Sequence, residues 1–213
     1  MRNKISYFIR SKLLPDSVFL IDGGKKSKTL YLTFDDGPVQ GITVELLNLL
    51  DEFQVKATFF ILGRCAKSHP EIIKAIHSRG HTLANHSYNH PPFHKISLKQ
   101  QLTEIFTTNK VLNEITNENC VLFRAPQGRW NIKLLFQLFR LKITAVHWSR
   151  DSMDFRKEQP SDIVKRFVDD PIKAGDIVLF HDDDPRCIQA LRTLIPLWQS
   201  QGFNLKALDN KHY

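Results

Sequence analysis

Two adjacent carboxylates, Asp35 and Asp36, are the first residues in this chain that could carry out chemistry. They follow the apolar run TLYLTF and stand in the sequence T-F-D-D-G-P. Carboxylates at the end of a buried strand are costly to desolvate unless they are paired, hydrogen-bonded or bound to a metal. The Gly37-Pro38 turn breaks the strand geometry that would point them to opposite faces, so both can reach one cavity. D-G-P is equally typical of an ordinary turn, so this cluster alone leaves both interpretations open.

Two histidines four residues apart, His86 and His90 in H-S-Y-N-H, form the second candidate. Imidazoles at this spacing can bind one metal ion if the segment is helical or tightly looped. The chain has nine histidines, so such a spacing also arises by chance. Together with one of the two aspartates, the pair supplies two nitrogens and one oxygen. Three protein ligands leave a position open for water, which is the arrangement of a catalytic metal site.

Three further clusters follow apolar runs later in the chain. Arg124 opens R-A-P-Q-G, where it can fix a carboxylate before a loop that exposes backbone N–H groups. The segment D-S-M-D-F, residues 151–155, follows Trp148, and His181 follows the segment D-I-V-L-F, residues 176–180, which is apolar after its first residue. Taken singly, the arginine is typical of a surface residue beside a proline turn, and the histidine of a satisfied structural residue.

The elements that must position these clusters alternate between short apolar runs and longer helical patterns. Seven runs are predicted strands: residues 29–34, 57–62, 81–84, 121–123, 143–148, 176–180 and 203–207. Helical patterns lie between them, at residues 44–53, 71–78, 98–115, 133–139, 163–168 and 188–199. This alternation predicts an α/β fold with mostly parallel strands, because parallel neighbours need crossover helices. A small or incomplete barrel is expected, with an open doubly wound sheet as the structural alternative, and the polar clusters would meet at the C-terminal strand ends.

The five clusters, in this order, resemble the five motifs of carbohydrate esterase family 4, the NodB-like polysaccharide deacetylases. The resemblance runs from about residue 29 to residue 207. It implies a distorted, incomplete (β/α) barrel of about seven parallel strands with an open groove at their C-terminal ends. The catalytic domain would span residues 29–213, preceded by an extension over residues 1–28 that carries a helical pattern.

The resemblance also implies an activity, which is metal-dependent removal of the N-acetyl group from an amino sugar in a glycan or glycolipid precursor. Asp36, His86 and His90 would hold one divalent metal ion. Zinc suits these donors, and Co²⁺, Ni²⁺ or Fe²⁺ are alternatives. Asp35 would be the general base that deprotonates a metal-bound water, Arg124 would hold Asp35, and acetate would be released.

The resemblance gives the remaining motif residues roles in proton transfer and in the groove. His181 would be the general acid, oriented by Asp151. Four residues would line the groove and the acetyl pocket: Gln127, Trp148, Phe155 and Leu179. The backbone N–H of Gln127 would serve the oxyanion site. The family's motifs usually carry an aromatic residue at position 127 and tryptophan at position 155. These departures change groove walls, so the accepted sugar is not specified.

Two alternatives keep the fold but change the function. One is an esterase acting on O-acetyl groups of a polysaccharide, for which less help to the leaving group is needed than for an amide. The other is a catalytically silent glycan-binding relative, which would be expected to lose a base, an acid or a metal ligand. All five of those groups are present here: Asp35, Asp36, His86, His90 and His181.

The composition of the chain limits which classes of binding partner are expected. The chain carries a net charge of +8, with scattered lysines and arginines and no recognised nucleic-acid motif between them. We therefore expect no nucleic-acid partner; an N-acetylated oligosaccharide, polysaccharide or lipid-linked sugar is the expected substrate. The length predicts one domain, and we expect a monomer. Three cysteines far apart predict free thiols rather than a disulfide framework.

The N-terminal segment lacks the features of a secretion signal. Its apolar stretches are interrupted by Arg10, Lys12 and Asp16, so no cleavable signal peptide is predicted, and no apolar run is long enough to cross a bilayer. A cytoplasmic location is expected, peripheral to the inner membrane face. A helical stripe over residues 5–13 is flanked by basic residues, which fits either an interfacial anchor or a helix packed on the domain itself.

Overall fold

The computed structural model describes residues 19–20 and 28–210 of the chain. These residues contain nine strands and seven α-helices. The strands are β1 (Phe19–Leu20), β2 (Thr29–Asp35), β3 (Thr58–Ile61), β4 (Thr82–Asn85), β5 (Leu122–Phe123), β6 (Thr144–Val146), β7 (Arg150–Asp151), β8 (Ile177–His181) and β9 (Asn204–Lys206). The helices are α1 (Ile42–Glu52), α2 (Gly63–Ser68), α3 (Pro70–Ser78), α4 (Leu98–Thr116), α5 (Ile132–Arg140), α6 (Pro160–Asp169) and α7 (Pro185–Ser200).

The strands form one sheet in which every pairing is parallel. Its order is β1-β6-β5-β4-β3-β2-β8-β7, and β9 pairs with the first half of β2. The end strands β1 and β7 are not paired with each other, so the described part of the barrel is open. The prediction of an incomplete (β/α) barrel is confirmed, and all seven predicted strands are present. The two additional strands, β1 and β7, have two residues each and are too short to show alternation.

The central strand β2 shows how the core fixes the site. Leu32 and Phe34 lie in the large hydrophobic cluster that the sheet forms with the surrounding helices. Because side chains alternate across a strand, Thr33 and Asp35 point to the barrel interior. Asp35 is paired in register with Phe60 on one side and His181 on the other. Burial of the helix-facing residues therefore sets the direction of the polar ones.

Helix α2 is the one described α-helix that the sequence pattern did not indicate. Its six residues, G-R-C-A-K-S, contain too few apolar positions to show a helical period. It matters for the site because its first N–H groups bind the histidine-bearing loop: Gly63 N–H donates to the carbonyl of Ser87 at 3.0 Å, and Arg64 N–H to that of Tyr88 at 3.1 Å.

The N-terminal extension is described only at residues 19–20 and 28. The helical stripe over residues 5–13 lies outside the described residues. Phe19 and Leu20 form β1, which pairs with β6. Among the described helices, none has the length and apolar character that a membrane span requires. The three cysteines are free thiols; Cys120 and Cys187 are buried and Cys65 is partly exposed.

Candidate active site

Asp35 and Arg124 form a buried ion pair at the C-terminal end of β2. An Nη1 hydrogen of Arg124 is donated to Asp35 Oδ1 at 2.6 Å, and Nη1 also contacts Thr33 Oγ1 at 2.9 Å. The guanidinium lies 3.9 Å from the ring centroid of Phe60. Burial raises the pKa of Asp35, and the charge of Arg124 offsets part of that increase. The sequence prediction that Arg124 contacts Asp35 agrees with this geometry.

The second oxygen of Asp35 faces a cluster of three potential metal ligands. Asp35 Oδ2 lies 3.6 Å from His86 Nε2. Asp36 Oδ1 lies 3.5 Å from His86 Nε2 and 3.6 Å from His90 Nε2. The three candidate donor atoms all lie within 4.8 Å of one another. The structure thus brings together the three residues that the sequence predicted as ligands.

The protonation of this cluster fits a metal cation. His86 Nδ1 lies 2.9 Å from the carbonyl oxygen of Arg124, which only accepts, so Nδ1 carries the hydrogen and Nε2 offers a lone pair. Burial lowers the pKa of His86 to about 3, which keeps the ring neutral. Asp36 Oδ1 is buried without a hydrogen-bond partner. A carboxylate oxygen in that state is costly unless a cation binds it, so the residues fit a divalent metal.

The loop that carries both histidines is a tight turn rather than a helix. Ser87 and His90 have positive φ angles of 74° and 60°. Glu104, on helix α4, accepts hydrogen bonds from the backbone N–H groups of Tyr88 and Asn89 at 2.9 and 2.7 Å. Sequence reasoning missed Glu104, because its contact across 15 or 16 positions leaves no local pattern.

The turn that carries Asp36 is fixed from behind by Asp182. A Cβ on Gly37 would lie 2.1 Å from Asp182 Oδ2, so only glycine allows this approach. Asp182 Oδ2 also accepts a hydrogen bond from Thr43 Oγ1 at 2.7 Å, and Thr43 Oγ1 accepts one from Val39 N–H at 2.8 Å. Burial raises the pKa of Asp182 to about 7. No pattern in the sequence pointed to a role for Asp182.

Asp154, not Asp151, contacts His181. The Nδ1 of His181 lies 2.7 Å from Asp154 Oδ1, and the backbone N–H of His181 donates to Asp154 Oδ2 at 2.8 Å. Asp151 Oδ1 instead accepts from Met153 N–H at 2.9 Å. The expectation that Asp151 orients His181 is therefore wrong. Asp151 belongs to β7, whereas a turn at Met153 brings the second aspartate of D-S-M-D-F under the imidazole. The motif contained both carboxylates, but spacing alone did not separate them.

The environment of His181 favours its protonated form. Burial lowers the pKa of the imidazole, but the hydrogen bond and charge of Asp154, with the charges of Asp35 and Asp36, outweigh it and raise the pKa to about 9. Since this folded-state pKa exceeds the ordinary value of 6.5, protonation of His181 stabilises the fold. That contribution is fully present below pH 6.5 and is lost as the pH rises through about 9.

Replacing Asp154 by asparagine tests this assignment. The variant removes the negative charge beside Nδ1, so the pKa of His181 should fall by about one to three pH units. If His181 acts as a general acid, the alkaline limb of kcat/KM should move to lower pH by the same amount. Asp151→Asn is the matched control and should leave the limb nearly unchanged. A larger movement in Asp151→Asn than in Asp154→Asn would show that the contact does not set the pKa.

These groups surround one pocket of about 430 Å³ at the C-terminal ends of the strands. Its walls contain every residue predicted for the site except Arg124, which is fully buried: Asp35, Asp36, His86, His90, Gln127, Trp148, Asp151, Phe155, Leu179 and His181. Leu179 is buried on β8 two residues before His181, and Phe155 is 54% exposed. The pocket therefore combines a carboxylate held by arginine, a metal-binding triad and a protonated imidazole with partly apolar walls.

Comparison with known proteins decides the family. The sequence profile described as polysaccharide deacetylase matches residues 22–146. A chitooligosaccharide deacetylase of Sinorhizobium fredii is 32% identical over 203 residues, covering 89% of this chain and 94% of that protein. The chain belongs to the polysaccharide deacetylase family. The predicted resemblance is confirmed, and with it the enzyme class, a hydrolase of carbon–nitrogen bonds.

Solved structures of this polysaccharide deacetylase family share the architecture. A peptidoglycan N-acetylglucosamine deacetylase superposes with a TM-score of 0.86 at 28% identity, covering 90% of this chain and 91% of that one. A Bacillus anthracis protein described as a family pseudoenzyme gives a TM-score of 0.85 at 25% identity, covering 94% of this chain and 72% of that one. Because an enzyme and a pseudoenzyme fit equally well, activity has to be argued from the site residues.

Proposed function

We propose that this protein is a metal-dependent deacetylase that hydrolyses the N-acetyl group of an N-acetylated amino sugar. The observation that carries the proposal is one pocket lined by the Asp36–His86–His90 triad, by Asp35 and by His181. Arg124 and Asp154 lie behind its wall, where they bind Asp35 and His181 respectively. Two of the three relatives named above are deacetylases, one of chitooligosaccharide and one of peptidoglycan N-acetylglucosamine, which supports an acetylated amino sugar as the substrate.

Asp36, His86 and His90 would hold the metal ion, and zinc suits two imidazoles and one carboxylate. A divalent cation there supplies Lewis-acid polarisation of the acetyl carbonyl and lowers the pKa of water. The chain prepares the site by keeping His86 neutral through burial and by fixing its tautomer through the carbonyl of Arg124.

Asp35 would act as the general base through Oδ2. Its Oδ1 is occupied by Arg124, while Oδ2 faces the ligand cluster and is placed to accept a proton from the attacking water. Burial raises the pKa of Asp35, which makes it a stronger base than a surface carboxylate, and Arg124 keeps the charged form accessible. The orientation and the basicity therefore come from the same buried pair.

His181 would act as the general acid through Nε2. An amide nitrogen leaves poorly as an anion, so it needs a proton as the carbon–nitrogen bond breaks. Asp154 holds Nδ1, which leaves Nε2 as the ring nitrogen that can donate. A pKa of about 9 keeps this proton in place at neutral pH. His181 is therefore already protonated, as amide hydrolysis requires, before substrate binds.

The groove wall would orient the acyl group and the sugar. Leu179 is apolar and buried beside His181, so it suits the acetyl methyl group. Gln127 lies in the wall with a φ of 57°, in the loop that would present a backbone N–H to the oxyanion. Phe155, which is exposed, and Trp148 both line the pocket and offer faces on which a pyranose ring can pack.

A mass-spectrometric screen for loss of one acetyl group tests the proposal. The metal-loaded protein would be offered N-acetylglucosamine oligomers, peptidoglycan fragments, a lipid-linked N-acetylated sugar and O-acetylated xylan oligomers. We expect loss from at least one N-acetylated class and little or none from O-acetylated xylan. Loss confined to the O-acetylated substrate would assign an esterase instead, and no loss from any substrate with metal bound would assign a silent relative.

A further inference from the structure

Helix α5 is apolar around more than half of its circumference. One part of this apolar surface packs into the core through Leu134, Leu135 and Leu138. The adjacent part presents Ile132, Phe136 and Phe139, which are 76%, 58% and 48% exposed. These three residues are spaced by four and three positions, so they form one stripe along the helix. A solvated helix would normally carry polar residues at such positions, so packing within the domain does not account for this stripe.

The stripe lies in a segment without negative charge. Residues 119–150 contain six arginines and lysines and no aspartate or glutamate. One of the six, Arg124, is buried in the site described above. Three of the others, Lys133, Arg140 and Lys142, are exposed on or directly after α5, and the Arg140 guanidinium lies 6.0 Å from the ring centroid of Phe136. The exposed apolar stripe is therefore flanked by basic groups alone within this segment.

An apolar groove extends the stripe at its first residue. Ile132 lines a recess of about 360 Å³ together with Ile96 and Leu98, which stand at the start of helix α4, and Lys133 lies at its rim. The apolar surface therefore spans two helices rather than one. A surface of this breadth is wide enough to contact a flat apolar layer, and is not limited to binding one side chain.

We propose that this basic-apolar face, made of Ile132, Phe136 and Phe139 with Lys133, Arg140 and Lys142, binds the surface of a bilayer that contains anionic phospholipid. Apolar residues on one side of a helix with lysine and arginine beside them are typical of helices that lie in the membrane interface. Each basic group near an anionic surface adds attraction, while the phenylalanine rings enter the boundary of the acyl layer.

Charge decides between the bilayer and two other occupants. A second copy of the chain would bring the same lysines and arginines together across a twofold axis, which is unfavourable. Residues 1–18 carry an apolar pattern but four basic residues and one acidic residue, so they would also be repelled by this face. Those residues lead into Phe19, which packs in the same hydrophobic cluster as the buried side of α5. An anionic lipid surface is complementary in charge to the basic-apolar face and also to residues 1–18.

Co-sedimentation of the full-length, metal-loaded protein with vesicles tests the proposal. Vesicles of equimolar phosphatidylglycerol and phosphatidylcholine should retain the protein, and vesicles of phosphatidylcholine alone should not. Phe136→Ser combined with Phe139→Ser should weaken binding at least about tenfold, because two exposed rings lose their contact with the acyl boundary. Lys133→Gln, Arg140→Gln and Lys142→Gln together should weaken it on the order of a hundredfold at low salt.

The controls distinguish this face from exposed apolar residues elsewhere on the domain. Val44→Ser with Val168→Ser removes exposed apolar side chains from α1 and α6 and should bind vesicles as the unmodified protein does. Both phenylalanine substitutions should leave acetate release from a soluble oligomer unchanged, which shows that the fold is intact. Wild-type vesicle binding by the phenylalanine variant would overturn the proposal. So would a concentration-dependent dimer that this variant abolishes without any vesicle binding, or loss of vesicle binding after deletion of residues 1–14.

Discussion

Replacing His181 by alanine is expected to lower kcat for an N-acetylated oligosaccharide by about 10² to 10⁴-fold while KM changes little. The reason is that the departing amine then leaves without a proton, whereas the metal-binding triad and Asp35 are untouched. His181 is partly exposed at the end of β8, so its removal should lower the free energy of unfolding, through loss of the Asp154 pair, without unfolding the domain. Turnover and metal content measured on the same preparation check the result.

The leaving group makes this prediction specific to acid catalysis. Nitrophenyl acetate releases nitrophenolate, a stable anion that needs no proton to leave, so His181→Ala should hydrolyse this ester at nearly the wild-type rate. His94→Ala is a matched control, because His94 is exposed and does not line the pocket. Equal losses on the sugar and on the nitrophenyl ester would mean that His181 supports the fold or the metal rather than the leaving group.

Asp35→Asn is expected to lower turnover of both substrates by about 10² to 10⁴-fold, because attack of water needs the base whatever the leaving group. The substitution also leaves the guanidinium of Arg124 buried without its counter-charge. Breaking a buried pair in this way costs about 3–5 kcal/mol, so the free energy of unfolding should fall as well. Rates are therefore compared per metal-loaded, folded molecule, with unfolding followed in parallel.

An exposed aspartate provides the control for Asp35→Asn. Asp162 lies in the first turn of α6, exposed and outside the pocket, so Asp162→Asn should change neither turnover nor stability by much. If Asp35→Asn kept wild-type turnover with metal bound, Asp35 would not be the base. The opposite responses of Asp35→Asn and His181→Ala toward the nitrophenyl ester distinguish the two proton transfers from each other.

The parts of the fold that were predictable are those with a local apolar pattern. The seven strands were recognised as short apolar runs and the six helices by a helical apolar pattern, and each is present with small differences at the ends. Strand β7 and helix α2 are short and largely polar, and the pairing or packing partners of β1, β7 and α2 are distant in sequence. Short elements held by tertiary contacts therefore escaped the sequence analysis.

The site was predictable where a motif offers only one residue with the chemistry that a role requires. The metal-binding triad and Arg124 follow from chemistry and motif order, and the structure brings them together. The choice between Asp151 and Asp154 depended on a turn at Met153 with a φ of 59°, which no spacing argument supplies. Supporting contacts such as Glu104 on the histidine loop and Asp182 behind Gly37 were not found, because they join distant segments.

Acetate release before and after metal removal tests the central claim most directly. The purified protein would be stripped of divalent metal, assayed on an N-acetylglucosamine oligomer, and assayed again after stepwise addition of zinc. We expect negligible acetate from the stripped protein and a rise in turnover that levels off at about one metal per chain, as one three-ligand site requires. His86→Ala should not be restored at that stoichiometry. Full turnover by the stripped protein, or by His86→Ala without bound metal, would contradict metal-dependent deacetylation at this site.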